Sequence, residues 1–355
     1  MVDRRIKKIC KILVDYSTKI KKGEKAIISA DVAAKDMVLE LYKLLLQRGA
    51  HVSIDIGLPN EAKIFYTYAK KHQLKHFPKI EFLRMKDTDA VFIIGAPENM
   101  RELAKVDTTK ISLRHRITKL ISDWRVEKTK WVIFEYPTKA MAKLAGVDLK
   151  EFSNFVFNSC LLNWKKFSES MKLFKRKEDR VNKVRIVGKN TDLRFSIKGR
   201  KAVVGDGTYN MPDGEVFTSV VENSANGHIY FEIPAVNMGN VVEGVYLEFK
   251  KGKVVRENAR KNKNFLTKIL NTDNGSRRLG EFGIGLNYNI KRSTKQILFD
   301  EKIGGTIHLA VGRSYKETKG KNESAIHWDF IKDLRKEGRV YFDGKLVMEK
   351  GKWLI

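Results

Sequence analysis

The sequence is poor in cysteine, and its two cysteines, Cys10 and Cys160, lie far apart in a chain of 355 residues. This spacing excludes a disulfide framework and a cysteine-based zinc finger, and it is typical of the reducing cytosol. Long apolar runs are missing too, since no stretch approaches the roughly 20 apolar residues that span a bilayer. The charged start, residues 1–8, does not resemble a signal peptide. We therefore expect a cytoplasmic protein that does not interact with membranes.

Phosphate-binding loops are also lacking. The pattern GxxxxGK[ST] is absent, and no GxGxxG lies at a strand-to-helix turn. The sequence therefore carries no nucleotide-binding fingerprint.

Acidic residues are scarce relative to basic ones: 42 Asp and Glu against 70 Lys and Arg, a formal charge of +28. Such a balance is found in nucleic-acid-binding proteins. The basic residues are nevertheless spread along the chain, without a basic tail or an aromatic-basic RNA-binding consensus. We therefore predict a generally basic surface, without a specific nucleic-acid partner, that associates with RNA only weakly and in a salt-sensitive way.

Strands and helices alternate in the first half of the chain. Short apolar segments at residues 25–30, 51–56, 89–95 and 131–136 are separated by helical patterns. This alternation predicts an α/β domain with a largely parallel sheet over residues 1–182.

Short strands and frequent glycines characterise residues 183–355. Asn226-Gly227 and Asp343-Gly344 are turn pairs that predict β-hairpins. The second domain is therefore predicted to be α+β and β-rich, and 42% hydrophobic residues are enough for a sizeable core in each domain.

Two segments near the end of the chain place ligand-type side chains among apolar residues. His308 lies in a strand-like alternation whose other face is apolar. On a strand, His327 and Asp329 share one face. Two imidazoles and a carboxylate suggest a metal site without being sufficient for one.

Two acidic residues extend this set. Glu215 follows a Pro-Asp-Gly turn, and Glu281 is flanked by glycine and apolar residues. Either could serve an ordinary structural purpose, Glu215 as a turn cap and Glu281 as a partner of a lysine. Together with His308, His327 and Asp329, however, they form a set of oxygen and nitrogen ligands that suits two divalent ions about 3.5–4 Å apart. Such ligands favour zinc, cobalt or manganese, with magnesium a further candidate.

Four motifs in order, MPDGEVFTS, GEFGIGLN, HLAVGRSY and HWD, span most of the second domain and resemble the thermophilic aminopeptidase T family of metallopeptidases. The resemblance implies a cytosolic, usually dimeric exopeptidase that uses a two-metal centre to release N-terminal amino acids. Its metal-binding positions correspond to Glu215, Glu281, His308, His327 and Asp329. Its catalytic tyrosine corresponds to Tyr315. Val220 departs from the family, in which a proline is common at this position.

The predicted function is therefore a metal-dependent aminopeptidase that hydrolyses the N-terminal peptide bond of small peptides with a water activated by two metals. Tyr315 and Glu281 are the predicted catalytic residues, with Tyr315 donating to the oxyanion. Either Glu215 or Glu281 could bridge the metals, and Asp213 could bind the substrate ammonium or only shape a turn. The alternatives are a related two-metal amidohydrolase or dipeptidase, a basic nucleic-acid-binding protein retaining the fold, and a metal-stabilised structural module.

Overall fold

The computed structural model describes residues 3–354. The helices are α1 Arg4–Ile12, α2 Lys35–Gln47, α3 Glu61–Tyr68, α4 Lys71–Lys75, α5 Lys79–Lys86, α6 Thr108–Lys128, α7 Lys139–Ala145, α8 Leu149–Cys160, α9 Trp164–Glu178, α10 Lys263–Leu270 and α11 Ile297–Asp300, with shorter helical turns at Leu13–Ser17 and Val32–Ala34. The strands are β1 Lys25–Asp31, β2 His51–Gly57, β3 Ala90–Gly95, β4 Lys130–Glu135, β5 Lys183–Gly188, β6 Thr191–Ser196, β7 Val203–Gly205, β8 Asn210–Met211, β9 Glu215–Thr218, β10 Asn226–Phe231, β11 Ala235–Asn237, β12 Asn240–Val242, β13 Val245–Lys250, β14 Lys253–Asn258, β15 Leu279–Gly285, β16 Thr306–Gly312, β17 His327–Asp333, β18 Arg339–Phe342, β19 Lys345–Glu349 and β20 Lys352–Trp353.

One compact unit contains the chain up to residue 162 together with residues 207–212. Its sheet has the strand order β2-β1-β3-β4-β8, and all of its pairings are parallel. The inner strands β1 and β3 are mostly buried, which suits a parallel sheet covered on both faces. The prediction of an N-terminal α/β domain with a largely parallel sheet is confirmed.

The other compact unit contains residues 163–206 and the chain from residue 213 onward. It has an eight-stranded sheet, β14-β13-β10-β6-β5-β18-β19-β20, and a five-stranded sheet, β17-β16-β15-β9-β7. Both are antiparallel. A cluster of buried apolar side chains draws members from both sheets, including Leu247 and Phe330. The predicted β-rich second domain is confirmed, whereas the domain boundary at residues 182 and 183 stays a prediction.

The two predicted hairpin turns have different outcomes. Asp343 and Gly344 join β18 to β19 with positive φ at both residues, as a tight hairpin requires. The prediction for Asn226-Gly227 was wrong, because both residues lie inside β10. An added Cβ on Gly227 would lie 2.1 Å from the carbonyl oxygen of Asp192, so this glycine permits close approach of β6 rather than a turn.

Among residues 3–354, no helix is long and apolar enough to cross a membrane.

Candidate metal centre

Four neighbouring strands of the five-stranded sheet carry the predicted metal ligands. Glu215 begins β9, Glu281 lies on β15 and His308 on β16, while His327 and Asp329 both lie on β17. The sheet order places these strands side by side, and Ala310 of β16 pairs with both Glu281 and Asp329. The strand register therefore brings together the five residues that the sequence leaves far apart.

The two faces of β16 have opposite characters, as its alternation predicts. Ile307, Leu309 and Val311 belong to the apolar core. His308 is fully buried, and it lies opposite Gly283 of β15. An ideal Cβ on Gly283 would lie only 1.9 Å from Nε2 of His308. A glycine at this position therefore makes room for the imidazole.

Glu281 is the carboxylate that contacts both imidazoles. Its Oε1 lies 3.2 Å from Nε2 of His308, and its Oε2 lies 3.4 Å from Nε2 of His327. Glu215 and Asp329 flank this pair, because Glu215 Oε2 lies 3.3 Å from His308 Nε2 and Asp329 Oδ1 lies 3.6 Å from His327 Nε2. The ligand-type atoms form one continuous cluster with Glu281 in the middle.

Burial and mutual charge perturb every one of these groups. Burial raises the pKa of Glu215 to about 8, although the neighbouring Lys302 opposes this, and burial also raises the pKa of Glu281. For His308, burial opposes protonation, but the hydrogen bond with Glu281 and the charge of Glu215 raise its pKa to about 9. The crowded carboxylates therefore favour positive charge at this position.

His327 and Asp329 are perturbed in the same sense. Burial opposes protonation of His327, but Asp329 outweighs it and raises the pKa of His327 to about 10. Burial alone would raise the pKa of Asp329, whereas the adjacent His327 lowers it. Asp329 therefore favours the protonated, positively charged form of His327, and His327 favours the ionised form of Asp329.

The donor set fits a divalent cation. Glu215 Oε2, Glu281 Oε2 and Asp329 Oδ1 are buried and accept no hydrogen bond from any described residue. Buried carboxylate oxygens without donors are costly unless they bind a cation. In each of two groups, the ligand atoms lie close enough together to hold an ion. The first group is Glu215, Glu301 and His308, and the second is Glu281, His327 and Asp329.

The histidine on the edge strand is oriented by a hydrogen bond. Nδ1 of His327 lies 2.7 Å from the carbonyl oxygen of Arg313, to which it donates as Nδ1–H. When an ion takes the place of the second ring proton, the Nε2 lone pair faces that ion between Glu281 and Asp329, the arrangement common to metal-binding histidines.

Tyr315 packs against this histidine. Its ring centroid lies 4.9 Å from that of His327 and 5.8 Å from that of Phe217. Burial, reinforced by the charge of Glu281, raises the pKa of Tyr315 above its usual range. The phenol therefore keeps its proton at neutral pH and can act as a hydrogen-bond donor.

Two residues of the cluster escaped the sequence analysis, Glu301 and Lys302. The lysine is fully buried, with Nζ 3.2 Å from Glu215 Oε1 and in direct contact with Glu301. Burial opposes its charge, but the carboxylates prevail, led by Glu215, and raise its pKa above the usual range. No motif marks either residue, since an Asp-Glu-Lys run at the end of a short helix resembles a solvated turn.

Asp213 belongs to the same charged group. It is buried, and its Oδ1 lies 4.0 Å from Nζ of Lys302 and 2.9 Å from the backbone nitrogen of Gly214. Its backbone carbonyl accepts a hydrogen bond from the side chain of Asn287. These contacts favour a role in the turn and in the charge balance over binding of a substrate ammonium.

Comparisons with known proteins extend over nearly the whole chain. Residues 2–353 match the family model described as thermophilic metalloprotease (M29). Aminopeptidase T of Thermus thermophilus is 22% identical over 410 aligned positions, with 99% of each chain covered. Aminopeptidase AmpS of Bacillus subtilis is 22% identical over 408 positions, covering 99% of this chain and 98% of the relative. The solved structure of wild-type AmpT from Thermus thermophilus superposes with a TM-score of 0.87 at 21% identity, covering 99% of both chains, and thus shares the fold.

Proposed function

Because the chain belongs to the thermophilic metalloprotease (M29) family, we propose that it uses two divalent ions, held by the cluster of ligands described above, to remove N-terminal residues from peptides. The family and the relatives named aminopeptidases confirm the predictions of a peptide hydrolase and of a metal-dependent aminopeptidase. The number of ions, their identity and the role of each residue are the proposal.

The observation that carries the proposal is the position of Glu281 between two groups of ligands. Its two oxygens face the Nε2 atoms of different imidazoles, His308 and His327. A carboxylate placed in this way can bridge two ions, one on each side. The proposed ligands are Glu215, Glu281, Glu301, His308, His327 and Asp329.

When bound, the ions would polarise the scissile carbonyl and lower the pKa of an attacking water to near neutrality. The chain supplies the remaining chemistry. Tyr315, held against His327 and protonated at neutral pH, donates its O–H to the developing oxyanion. One carboxylate of the cluster, Glu215 or Glu281, takes the proton of the attacking water on an oxygen that binds no ion and delivers it to the amine nitrogen as the C–N bond breaks.

The metal identity follows from the ligand types. Imidazole nitrogens and carboxylate oxygens suit zinc, cobalt or manganese, and magnesium is the weaker fit because it takes few nitrogen ligands.

We further propose that the protein is a cytoplasmic homodimer. Both cysteines are buried and free, which suits a reducing compartment. Sedimentation at several protein concentrations tests the dimer.

The activity is tested with a panel of substrates rather than with one. Purified protein loaded with cobalt or zinc is offered free peptides, N-acetylated peptides and dipeptides, and His308→Ala is the inactive control. We expect release of single N-terminal residues only from free N-termini. Equal cleavage of acetylated peptides would favour an amidohydrolase, and cleavage confined to dipeptides would favour a dipeptidase. Two anomalous peaks in a cobalt-soaked crystal would identify the centre.

A further inference from the structure

Lys302 is unusual because it is a fully buried lysine next to proposed metal ligands. Its Nζ lies 3.2 Å from Glu215 Oε1 and 4.0 Å from Asp213 Oδ1, and it contacts Glu301 directly. Lysines are almost never fully buried without a partner, and this one has three carboxylates. Its ammonium group therefore offsets negative charge that would otherwise be buried.

The lysine divides the two oxygens of Glu215 between different partners. Oε1 faces the lysine, whereas Oε2 faces Nε2 of His308 at 3.3 Å. Oε2 also accepts no hydrogen bond from the part of the chain that the structure describes. Lys302 thus holds one oxygen of Glu215 and leaves the other for an ion.

The second group of ligands has no such cation. In the ion pairs formed by residues 3–354, Glu281 and Asp329 contact histidines and neither lysine nor arginine. Glu215 and Glu301 therefore share their carboxylates with a buried ammonium, which Asp213 also faces from 4.0 Å, whereas the carboxylates of Glu281 and Asp329 face imidazoles. Positive charge at short range and low dielectric weakens the binding of a further cation.

We propose that Lys302 is a positioning residue that makes the two ion sites unequal. The site of Glu281, His327 and Asp329 fills first and retains its ion. The site of Glu215, Glu301 and His308 fills second and exchanges its ion readily, so that activity follows the concentration of free metal. This inference rests on the proposed function, because it requires that the cluster bind two ions.

Calorimetry of the chelator-treated full-length protein with cobalt(II) tests the inference, with the visible d–d spectrum recorded at one and two equivalents. We expect two separate binding events in the natural protein. In Lys302→Met, the second event should tighten at least about tenfold, because a positive charge near the ion is gone. The spectrum at two equivalents should also change, since Glu215 Oε1 is no longer held.

Lys332→Met is the matched control. Lys332 is also fully buried, but it is bonded to Glu232 and to the carbonyl of Lys189 rather than to a proposed ligand. Its loss should lower stability in a comparable way and leave both cobalt affinities unchanged. If Lys302→Met leaves the ratio of affinities unchanged, or changes it no more than Lys332→Met does, the inference is overturned.

A second pair of variants applies even if Lys302→Met does not fold. Glu301→Gln should weaken only the second binding event, and Asp329→Asn should weaken only the first. Two equal events in the natural protein, or an effect of Glu301→Gln on the tighter event, would overturn the inference. Failure of the natural protein to bind any cobalt would instead refute the proposed function, so the two failures are distinguishable.

Discussion

Gly283→Ala is a test of whether His308 must occupy its observed position. The new Cβ would lie 1.9 Å from Nε2 and 2.1 Å from Cε1 of the imidazole. An ordinary contact begins at 3.4 Å, so the ring must retreat by about 1.5 Å, the difference between 1.9 and 3.4 Å. Because β15, which carries Gly283, and β16, which carries His308, are fully buried, little space is available for that movement.

Two consequences follow from this displacement, one for activity and one for stability. Misplacing a catalytic group by about 1 Å can cost ~10²-fold in rate, so we expect kcat/KM to fall about a hundredfold or more. Overpacking a buried site typically costs about 1–3 kcal/mol of unfolding free energy. Both effects have the same cause and should appear together with weaker cobalt binding.

The assay compares Gly283→Ala with Gly188→Ala. Gly188 is the last residue of strand β5 in the eight-stranded sheet. An added Cβ on Gly188 would meet its nearest atoms at 3.5 Å, which is ordinary contact. Peptide hydrolysis, cobalt affinity and urea unfolding are measured for both variants. If Gly283→Ala retains full activity and cobalt affinity, the imidazole is not held where the ligand set requires it, and the reasoning is refuted.

Three further predictions concern Tyr315, the bound metal and Glu178. Tyr315→Phe should lower kcat about 10²–10³-fold with little change in KM, because one oxyanion donor is lost; an unchanged kcat would assign the ring to packing against His327. Removing the metal with a chelator should lower the melting temperature, since a ligand present at 100 times its Kd adds about 2.7 kcal/mol to the free energy of unfolding. An unchanged melting temperature after complete metal removal would contradict metal binding that is specific to the folded protein. Glu178 is fully buried, with neither oxygen hydrogen-bonded within the described residues, and burial raises its pKa well above the usual 4.5. Its protonated form therefore supports stability below about pH 4.5, and this support is lost as the pH rises toward the raised pKa. Urea unfolding over this range should show a stability loss in the natural protein that Glu178→Gln lacks, and parallel curves would contradict it.

The sequence alone determined the architecture and most of the proposed ligands. Parallel strands are buried on both faces, so β3 is an unbroken apolar run and β1 contains a shorter one at residues 26–28. An antiparallel strand alternates, so His308 could be assigned to the face opposite Ile307 and Leu309 from spacing alone. Local patterns of this kind survive in a single sequence because they depend on neighbouring residues.

Only the tertiary structure decided how the ligands relate to one another. Glu281 lies between two imidazoles because β15, β16 and β17 pair in one register, which no local pattern encodes. Glu301 and Lys302 join the cluster through a loop whose sequence resembles a solvated turn. The cost of burying charge is set by the partners that long-range packing supplies, and so the charge balance of this site is a property of the fold.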